Sequence, residues 1–346
     1  EQGQAVKDIV DWYRDRSRQE FYLAGFAGTG KTTLTDIAIG ELRDRYRIQN
    51  VRTGAYTGKA AHVLRKKGAP DASTIHSMIY RPVTGPGGKV SFELDPLGAA
   101  ASADLIVLDE CSMIDDRMAS DLRSFGKKIL VLGDPGQLPP VRGCGAFTNR
   151  EPDNFLREIH RQAADSPILR MATDARQGKA PGVGDYGNGV RVVPYNADAG
   201  RYVYDDRSQV ICGLNRVRWT VTQRIRARLG LDGRQPLPGE RVLCCRNNRE
   251  LGIFNGQLGD LVNTKPSTHG DDHLRLTVNM EDGGETFLTA HTYMFGQHFT
   301  GQCQRPKIGK GICEFDWGYV LTCHKSQGSQ WPRITIIDDS DSFRDD

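Results

Sequence analysis

No run in this sequence approaches the ~18 consecutive apolar residues that a membrane-spanning helix needs, and no charged-then-apolar leader is present. Charge of one sign is lacking as well: 46 Lys and Arg against 43 Asp and Glu leave a net +3. Global charge therefore argues neither for nor against nucleic acid, and any polyanion site has to be a local patch. The eight cysteines contain no C-x-x-C pair. Cys244 and Cys245 are adjacent, while Cys303, Cys313 and Cys323 lie ten apart near His298 and His324. Zinc ligand pairs normally come roughly two to five residues apart, so free, mostly buried thiols in a reducing cytosol are the better reading. An initial Met is missing too. The chain starts at Glu1 and stops on Ser-Phe-Arg-Asp-Asp after a strand-like run, as a portion of a longer protein would.

What is present is organised around residues 25–32, GFAGTGKT, which fit the phosphate-binding pattern G-x-x-x-x-G-K-[ST] at every fixed position. Phe21-Tyr22-Leu23-Ala24 before it reads as a buried strand, and Leu34, Ile37, Ala38 and Leu42 after it recur at helical spacing. Gly25, Gly28 and Gly30 let backbone N–H groups wrap a polyphosphate where a Cβ would collide. Lys31 would reach the β- and γ-phosphates of ATP, and Thr32 would offer its hydroxyl to Mg²⁺. A second anchor is Leu105-Ile106-Val107-Leu108-Asp109-Glu110, a central parallel strand with carboxylates at its C-terminal end, where α/β proteins bind ligands. Asp109 would hold Mg²⁺ directly or through water, and Glu110 would polarise the attacking water. A third buried strand, Ile129 to Leu132, runs into GDPGQLPPV, where Gln137 is placed to sense the γ-phosphate and Asp134 to shape the loop.

The remaining signals are weaker one by one. Gln2, at the start of an amphipathic helix (Val6, Ile9, Val10, Tyr13), has an amide able to read an adenine edge. Thr57 and Lys59 open a helix after a strand, which suits either a nucleic-acid phosphate or ordinary capping. Thr74 and His76, in STIHS, repeat the theme. Pro82, Gly85, Pro86, Gly87 and Gly88 mark the turn of a hairpin whose Phe92 either stacks on a base, acts as a wedge, or packs on its own domain. Downstream, a helix repeats Val217, Val221, Ile225 and Leu229 as a core stripe, with Arg216, Arg218, Arg224, Arg226 and Arg228 on a solvated face. Residues 239 to about 291 alternate β-rich pieces with turns, as a small barrel does.

The order GFAGTGKT, TGKAA, STIHS, LDECSM, GDPGQLPPV, LREIHRQ, MATDARQGK, FNGQL, TCHKSQGSQW resembles the superfamily 1 DNA helicases, in particular their RecD-like and phage Dda-like group. The resemblance runs from about residue 2 to residue 331. It implies an α/β fold of two RecA-like P-loop NTPase cores. Core 1 is expected over 1–79 and 104–160 with a wedge hairpin at 80–103, and core 2 over 161–238 and 316–346 with a β-barrel insert at 239–315. Lys31, Thr32, Asp109, Glu110, Gln137 and Arg161 resemble the ATPase set. Gln2, Gly28, Thr29, Gly30, Lys31, Thr32, Thr33 and Gly328 resemble the nucleotide-binding set, with Thr32 and Asp109 at the metal. Thr57, Lys59, Thr74, His76, Phe92, Thr322, His324 and Lys325 resemble the strand-binding and coupling set.

The activity so implied is ATP-driven 5′→3′ movement on single-stranded DNA with unwinding of fork DNA, in the cytoplasm, beside replication or recombination proteins and without a membrane. The sequence departs from the family at Gln330, where many relatives carry glutamate, and at Tyr56, where proline is usual. The final motif, with a second arginine, is expected beyond Ile337. Two other readings stay open: an RNA-directed translocase, and an ATP-gated DNA-binding module that does not unwind. A P-loop kinase has no place for GDPGQLPPV or TCHKSQGSQW.

Overall fold

The computed structural model describes residues 1–26, 28–85, 90–138, 145–158, 166–194, 208–248, 250–281, 283–301, 305–309 and 311–343. In its first half the apolar runs become one parallel sheet. The strands are β1 (Glu20–Gly25), β2 (Val51–Ala55), β3 (Ser73–Thr74), then the hairpin β4 (Tyr80–Thr84) and β5 (Val90–Leu94), then β6 (Leu105–Asp109), β7 (Lys128–Gly133) and β8 (Asn154–Leu156). The sheet order is β3-β2-β6-β7-β1-β8, with every neighbouring pair parallel. A parallel sheet is covered on both faces, which is why β1, β6 and β7 are continuously apolar instead of alternating.

The two covers are distinct. Helices α1 (Gln2–Arg14) and α2 (Lys31–Tyr46) pack Ile9, Val10, Leu34 and Leu42 against Phe21 and Leu23 of β1. On the other face, α4 (Ile75–Ile79), which follows α3 (Gly58–Lys66), and α5 (Asp116–Arg123) pack Met78, Ile79 and Leu122 with Tyr22 and Ala24. Ile37, expected in the buried stripe of α2, is 55% exposed. It stands a single residue before Ala38, and that shift of about 100° turns it off the buried stripe.

Helix α6 (Pro167–Arg176) and the short hairpin β9 (Gly184–Gly187) and β10 (Val190–Val192) follow. Contacts divide the chain into one unit of Glu1–Tyr56 with Ala60–Pro194 and another of Thr57–Lys59 with Tyr195–Asp346. Helix α6 thus groups with the first unit, whereas the expected boundary at 160/161 put it in the second core.

The second unit opens with β11 (Gln209–Cys212) and α7 (Asn215–Arg228). A closed barrel follows, made of β12 (Arg241–Cys244), β13 (Leu258–Pro266), β14 (His273–Met280), β15 (Gly284–His291) and β16 (Cys313–Trp317), with α8 (Tyr293–Thr300) between the last two strands. Antiparallel pairing of β12 with β16 and parallel pairing of β15 with β16 close it. The chain then passes through Gly318 and Tyr319 into β17 (Val320–Thr322), α9 (Cys323–Ser326) and β18 (Ile334–Ile336). Of the second core expected, the described residues give a three-stranded parallel sheet, β17-β11-β18.

The joint between barrel and sheet is tight. Gly318 N–H donates to Arg241 O at 2.8 Å, and the buried Gln209 amide donates to Gly318 O at 3.2 Å and Tyr319 O at 3.1 Å. A Cβ on Gly318 would lie 2.7 Å from Leu258 Cδ2 and 3.0 Å from the Val242 carbonyl, so a larger residue would have to displace both.

The arginines of α7 correct the expected solvated face. Arg216, Arg224 and Arg228 are exposed, but Arg218 and Arg226 are buried and ion-paired. Arg218 Nη1 donates to Asp316 Oδ2 at 2.6 Å, and His298 Nε2 lies 2.7 Å from Asp316 Oδ1. Burial alone would push the Asp316 carboxyl up, but Arg218 and His298 hold it far below the usual carboxylate range. Leu229, expected in the core stripe, lies past the end of α7 and is exposed. No helix among the described residues is long and apolar enough to cross a membrane.

Candidate functional site

Strands β6, β7 and β1 are neighbours, so the residues leaving their carboxyl ends meet. Register pairs Ala24 with Gly133 and Leu108 with Val131, which sets the phosphate loop, Asp109 with Glu110, and the Asp134 loop side by side. This edge of an open parallel sheet is where ligands bind. The loop after β1 turns on Gly28 (φ 80°) and Gly30 (φ 83°), left-handed conformations that glycine adopts without strain. A Cβ on Gly25 would come within 2.7 Å of Thr29 Oγ1.

Lys31, the first residue of α2, turns its ammonium into the loop and donates to the carbonyls of Gly25 at 2.6 Å and Phe26 at 3.0 Å. Burial lowers its pKa, the carboxylates of Asp134, Asp109 and Glu110 oppose that shift, and the charge of Arg176 adds to it. Thr32 and Thr33 complete the first turn, Thr32 half-buried and Thr33 exposed. Buried Thr29 caps the loop by donating to Phe26 O at 2.8 Å, and Gln2 Nε2 donates to Thr29 O at 3.1 Å.

Asp109 ends β6, and its Oδ1 accepts the Glu110 N–H at 2.9 Å. Glu110 is held at φ 53°, ψ 44°, a left-handed conformation that costs a non-glycine residue on the order of 1–3 kcal/mol. That twist ends the strand abruptly and leaves the two carboxyls on consecutive residues. Burial raises the pKa of Asp109, and burial followed by the Asp109 charge raises that of Glu110. A side-chain hydrogen bond from Gln137 partly stabilises the Glu110 carboxylate. Asp134 shapes the loop that carries Gln137: its Oδ1 accepts Gly136 N–H at 2.9 Å and its carbonyl accepts Gln137 N–H at 3.0 Å. The oxygen donors of Thr32 and Asp109, with Glu110 adjacent, fit Mg²⁺, which takes one or two carboxylates and leaves the rest to phosphates and water. No cluster of three or more His, Cys, Asp or Glu able to hold a metal occurs among the described residues. Arg161 and Cys303 lie outside the described residues.

The expected strand-binding residues fall into separate groups. In the first unit, Thr74 caps α4, its Oγ1 accepting Ser77 N–H at 3.1 Å. His76 stands edge-on to Phe92 with ring centroids 4.4 Å apart, and 4.8 Å from the Tyr80 ring. Phe92 is therefore packed on one side and still 49% exposed. Thr57 and Lys59 lie just before and within the first turn of α3, and contacts group them with the second unit. In that unit Thr322 precedes α9, His324 and Lys325 lie within it, and Lys325 Nζ is 3.6 Å from Cys245 Sγ. Gly328 follows at φ 72°.

A family model described as AAA domain (AAA_30) matches residues 1–194, the stretch that carries the phosphate loop and both carboxylate-bearing strand ends. The chain belongs to this AAA domain family. Within it, the superfamily 1 helicase resemblance holds. The ATP-dependent RecD2 DNA helicase of Deinococcus radiodurans is 29% identical over 338 residues, 90% of this chain and 42% of that protein. The ATP-dependent DNA helicase dda of Enterobacteria phage T4 is 34% identical over 171 residues, 45% of this chain and 37% of that one. The chain thus spans less than half the length of these curated relatives. A Bacteroides Pif1 helicase, solved in complex with ADP-AlF3 and ssDNA, shares the fold at a TM-score of 0.56 and 18% identity, covering 96% of this chain and 85% of that one.

One residue beside this site escaped the sequence reading. Arg176 closes α6 with Nη2 2.8 Å from Asp134 Oδ2 and its guanidinium 4.4 Å from the Phe26 ring centroid. MATDARQGK was legible as a block, but nothing local to it points 42 residues back to Asp134.

Proposed function

We propose that this chain is the motor portion of an ATP-dependent DNA helicase that moves 5′→3′ on single-stranded DNA and unwinds forks. The observation that carries the reading is the meeting of Lys31, Asp109, Glu110 and Gln137 at three adjacent strand ends. In this reading Lys31 exchanges its two loop carbonyls for the β- and γ-phosphates. Thr32 and Asp109 would hold Mg²⁺, which would supply positive charge against the phosphates. Glu110, its pKa raised by burial, accepts the proton of the attacking water, and Gln137 orients that water. Arg161 would add positive charge at the γ-phosphate. Binding and hydrolysis change which of two RecA-like cores grips the strand more tightly, so alternation becomes a step. Thr57, Lys59, Thr74, Thr322, His324 and Lys325 contact the backbone, which gives little sequence preference and strong salt dependence. Phe92, half-exposed at the hairpin, parts the duplex.

The test is ATP hydrolysis with and without single-stranded DNA, for the wild type and Lys31→Ala. Strong stimulation by DNA, lost by on the order of 10²-fold or more in Lys31→Ala, supports the motor. Hydrolysis indifferent to DNA refutes it. Deoxy and ribo oligomers of one sequence, compared side by side, separate a DNA from an RNA track.

A further inference from the structure

We propose that Arg176 is a positioning residue of the ATPase site, holding the Gln137 loop against the phosphate-binding loop; the proposal rests on the ATPase reading above. Asp134 is the pivot. It is 3% exposed, and its two carboxylate oxygens are shared between Arg176 Nη2 at 2.8 Å and the Gly136 N–H at 2.9 Å. Its carbonyl takes the Gln137 N–H at 3.0 Å, so the guanidinium, the carboxylate and the backbone that carries Gln137 form one hydrogen-bonded chain.

The other end of the tie is the phosphate loop itself. The guanidinium lies 4.4 Å from the centroid of the Phe26 ring, and Phe26 O is one of the two carbonyls that hold Lys31. The close approach is built in at Gly136, where a Cβ would stand 2.8 Å from Arg176 Nε. Arg176 is also close enough to Lys31 for its charge to push the ammonium pKa down. Lysine could not do the same work. A flat fork bonds a carboxylate along its edge while its face covers an aromatic ring, whereas an ammonium is a point charge. Loss of the tie frees the Asp134 loop from the phosphate loop, and Gln137 then meets Glu110 and the γ-phosphate less often in the productive geometry.

A residue that only staples α6 down and one that positions Gln137 differ in how their effects combine. The experiment measures ATP hydrolysis at saturating DNA for wild type, Arg176→Ala, Arg176→Lys, Gln137→Ala and the Arg176→Ala/Gln137→Ala double variant. A fluorescent ATP analogue reports nucleotide binding in each. The expected result is a fall in kcat of roughly 10-fold or more for Arg176→Ala, with KM and analogue affinity within about 3-fold of wild type. Arg176→Lys is expected to fall likewise, and the double variant to be no slower than Gln137→Ala alone. Effects that multiply, or a kcat for Arg176→Ala within about 2-fold of wild type, overturn the proposal. Should Arg176→Ala fail to fold, Phe26→Leu cuts the same tie from the other side, and the same comparison with Gln137→Ala decides. A wild type that hydrolyses no ATP refutes the ATPase reading as well, whereas active wild type with an insensitive Arg176 refutes this proposal alone.

Discussion

Replacing Arg226 by Met is expected to cost the second unit a large part of its stability. Arg226 is 3% exposed and its partner Glu240 0%. The guanidinium meets the carboxylate edge-on, Nε to Oε1 at 2.6 Å and Nη2 to Oε2 at 3.3 Å. It also donates to Gly233 O at 2.6 Å and Gln235 O at 3.2 Å, and lies 4.1 Å from the Trp317 ring centroid. Glu240 in turn accepts from Leu237 N–H at 2.6 Å and Tyr319 Oη at 3.2 Å. Methionine fills much of the volume but leaves a carboxylate buried with neutral donors only, and two carbonyls without their arginine. Removing one partner of such a pair costs about 3–5 kcal/mol. At ~2–4 °C per kcal/mol for a unit of this size, Tm should drop by about 6–20 °C. Urea and thermal unfolding followed by circular dichroism and tryptophan fluorescence measure it, with exposed Arg216→Ala as a control within about 0.5 kcal/mol of wild type. Arg226→Met within about 1 kcal/mol of wild type would refute the reasoning, because then the carboxylate finds another way to be satisfied.

Two further outcomes follow from the first unit. Burial raises the pKa of both Asp109 and Glu110, so each takes up its proton at a higher pH than a free carboxyl. The acid limb of kcat/KM for ATP should therefore lie above the usual carboxylate value of about 4, and Glu110→Gln should abolish turnover while keeping nucleotide binding. An acid limb at the ordinary value would disprove the assignment. Phe92→Ala should slow unwinding of a tailed duplex by roughly 5- to 100-fold, the range of one lost stacking contact, with DNA-stimulated hydrolysis nearly unchanged. Equal loss of both activities would show that the ring serves His76 and not strand separation.

How much of this was legible depended on how local each cause is. β1, β6 and β7 could be read because strands buried on both faces are unbroken apolar runs. The phosphate loop could be read because its glycines and its lysine act within eight residues. The Tyr80–Thr84 and Val90–Leu94 hairpin was legible from the cluster of Pro and Gly in the sequence and the alternation of Val90 to Leu94. Arginine roles were not legible, because a helical wheel shows only that a residue is polar. Arg218 is buried because Asp316 waits 98 residues on, and Arg226 because Glu240 waits 14 on beyond the end of α7. Phe92 was left between base and core, and the structure gives its ring a half-exposed place packed beside His76. Arg176 was hidden for the same reason as the α7 arginines: its partner lies in another motif.

The joint at Gly318 and Tyr319 bears on how the second unit could move. Rotations between parts of a protein are absorbed by a few soft residues at a loop or an element end. Here the connection is short, its Gly318 amide is spent on the barrel strand, and both of its carbonyls are spent on Gln209. A twist applied at β17 and the TCHKSQGSQW segment is not dissipated before it reaches β16. The barrel is then a handle fixed to the sheet, and a turn of a few degrees at the strand becomes a sweep of its far loops.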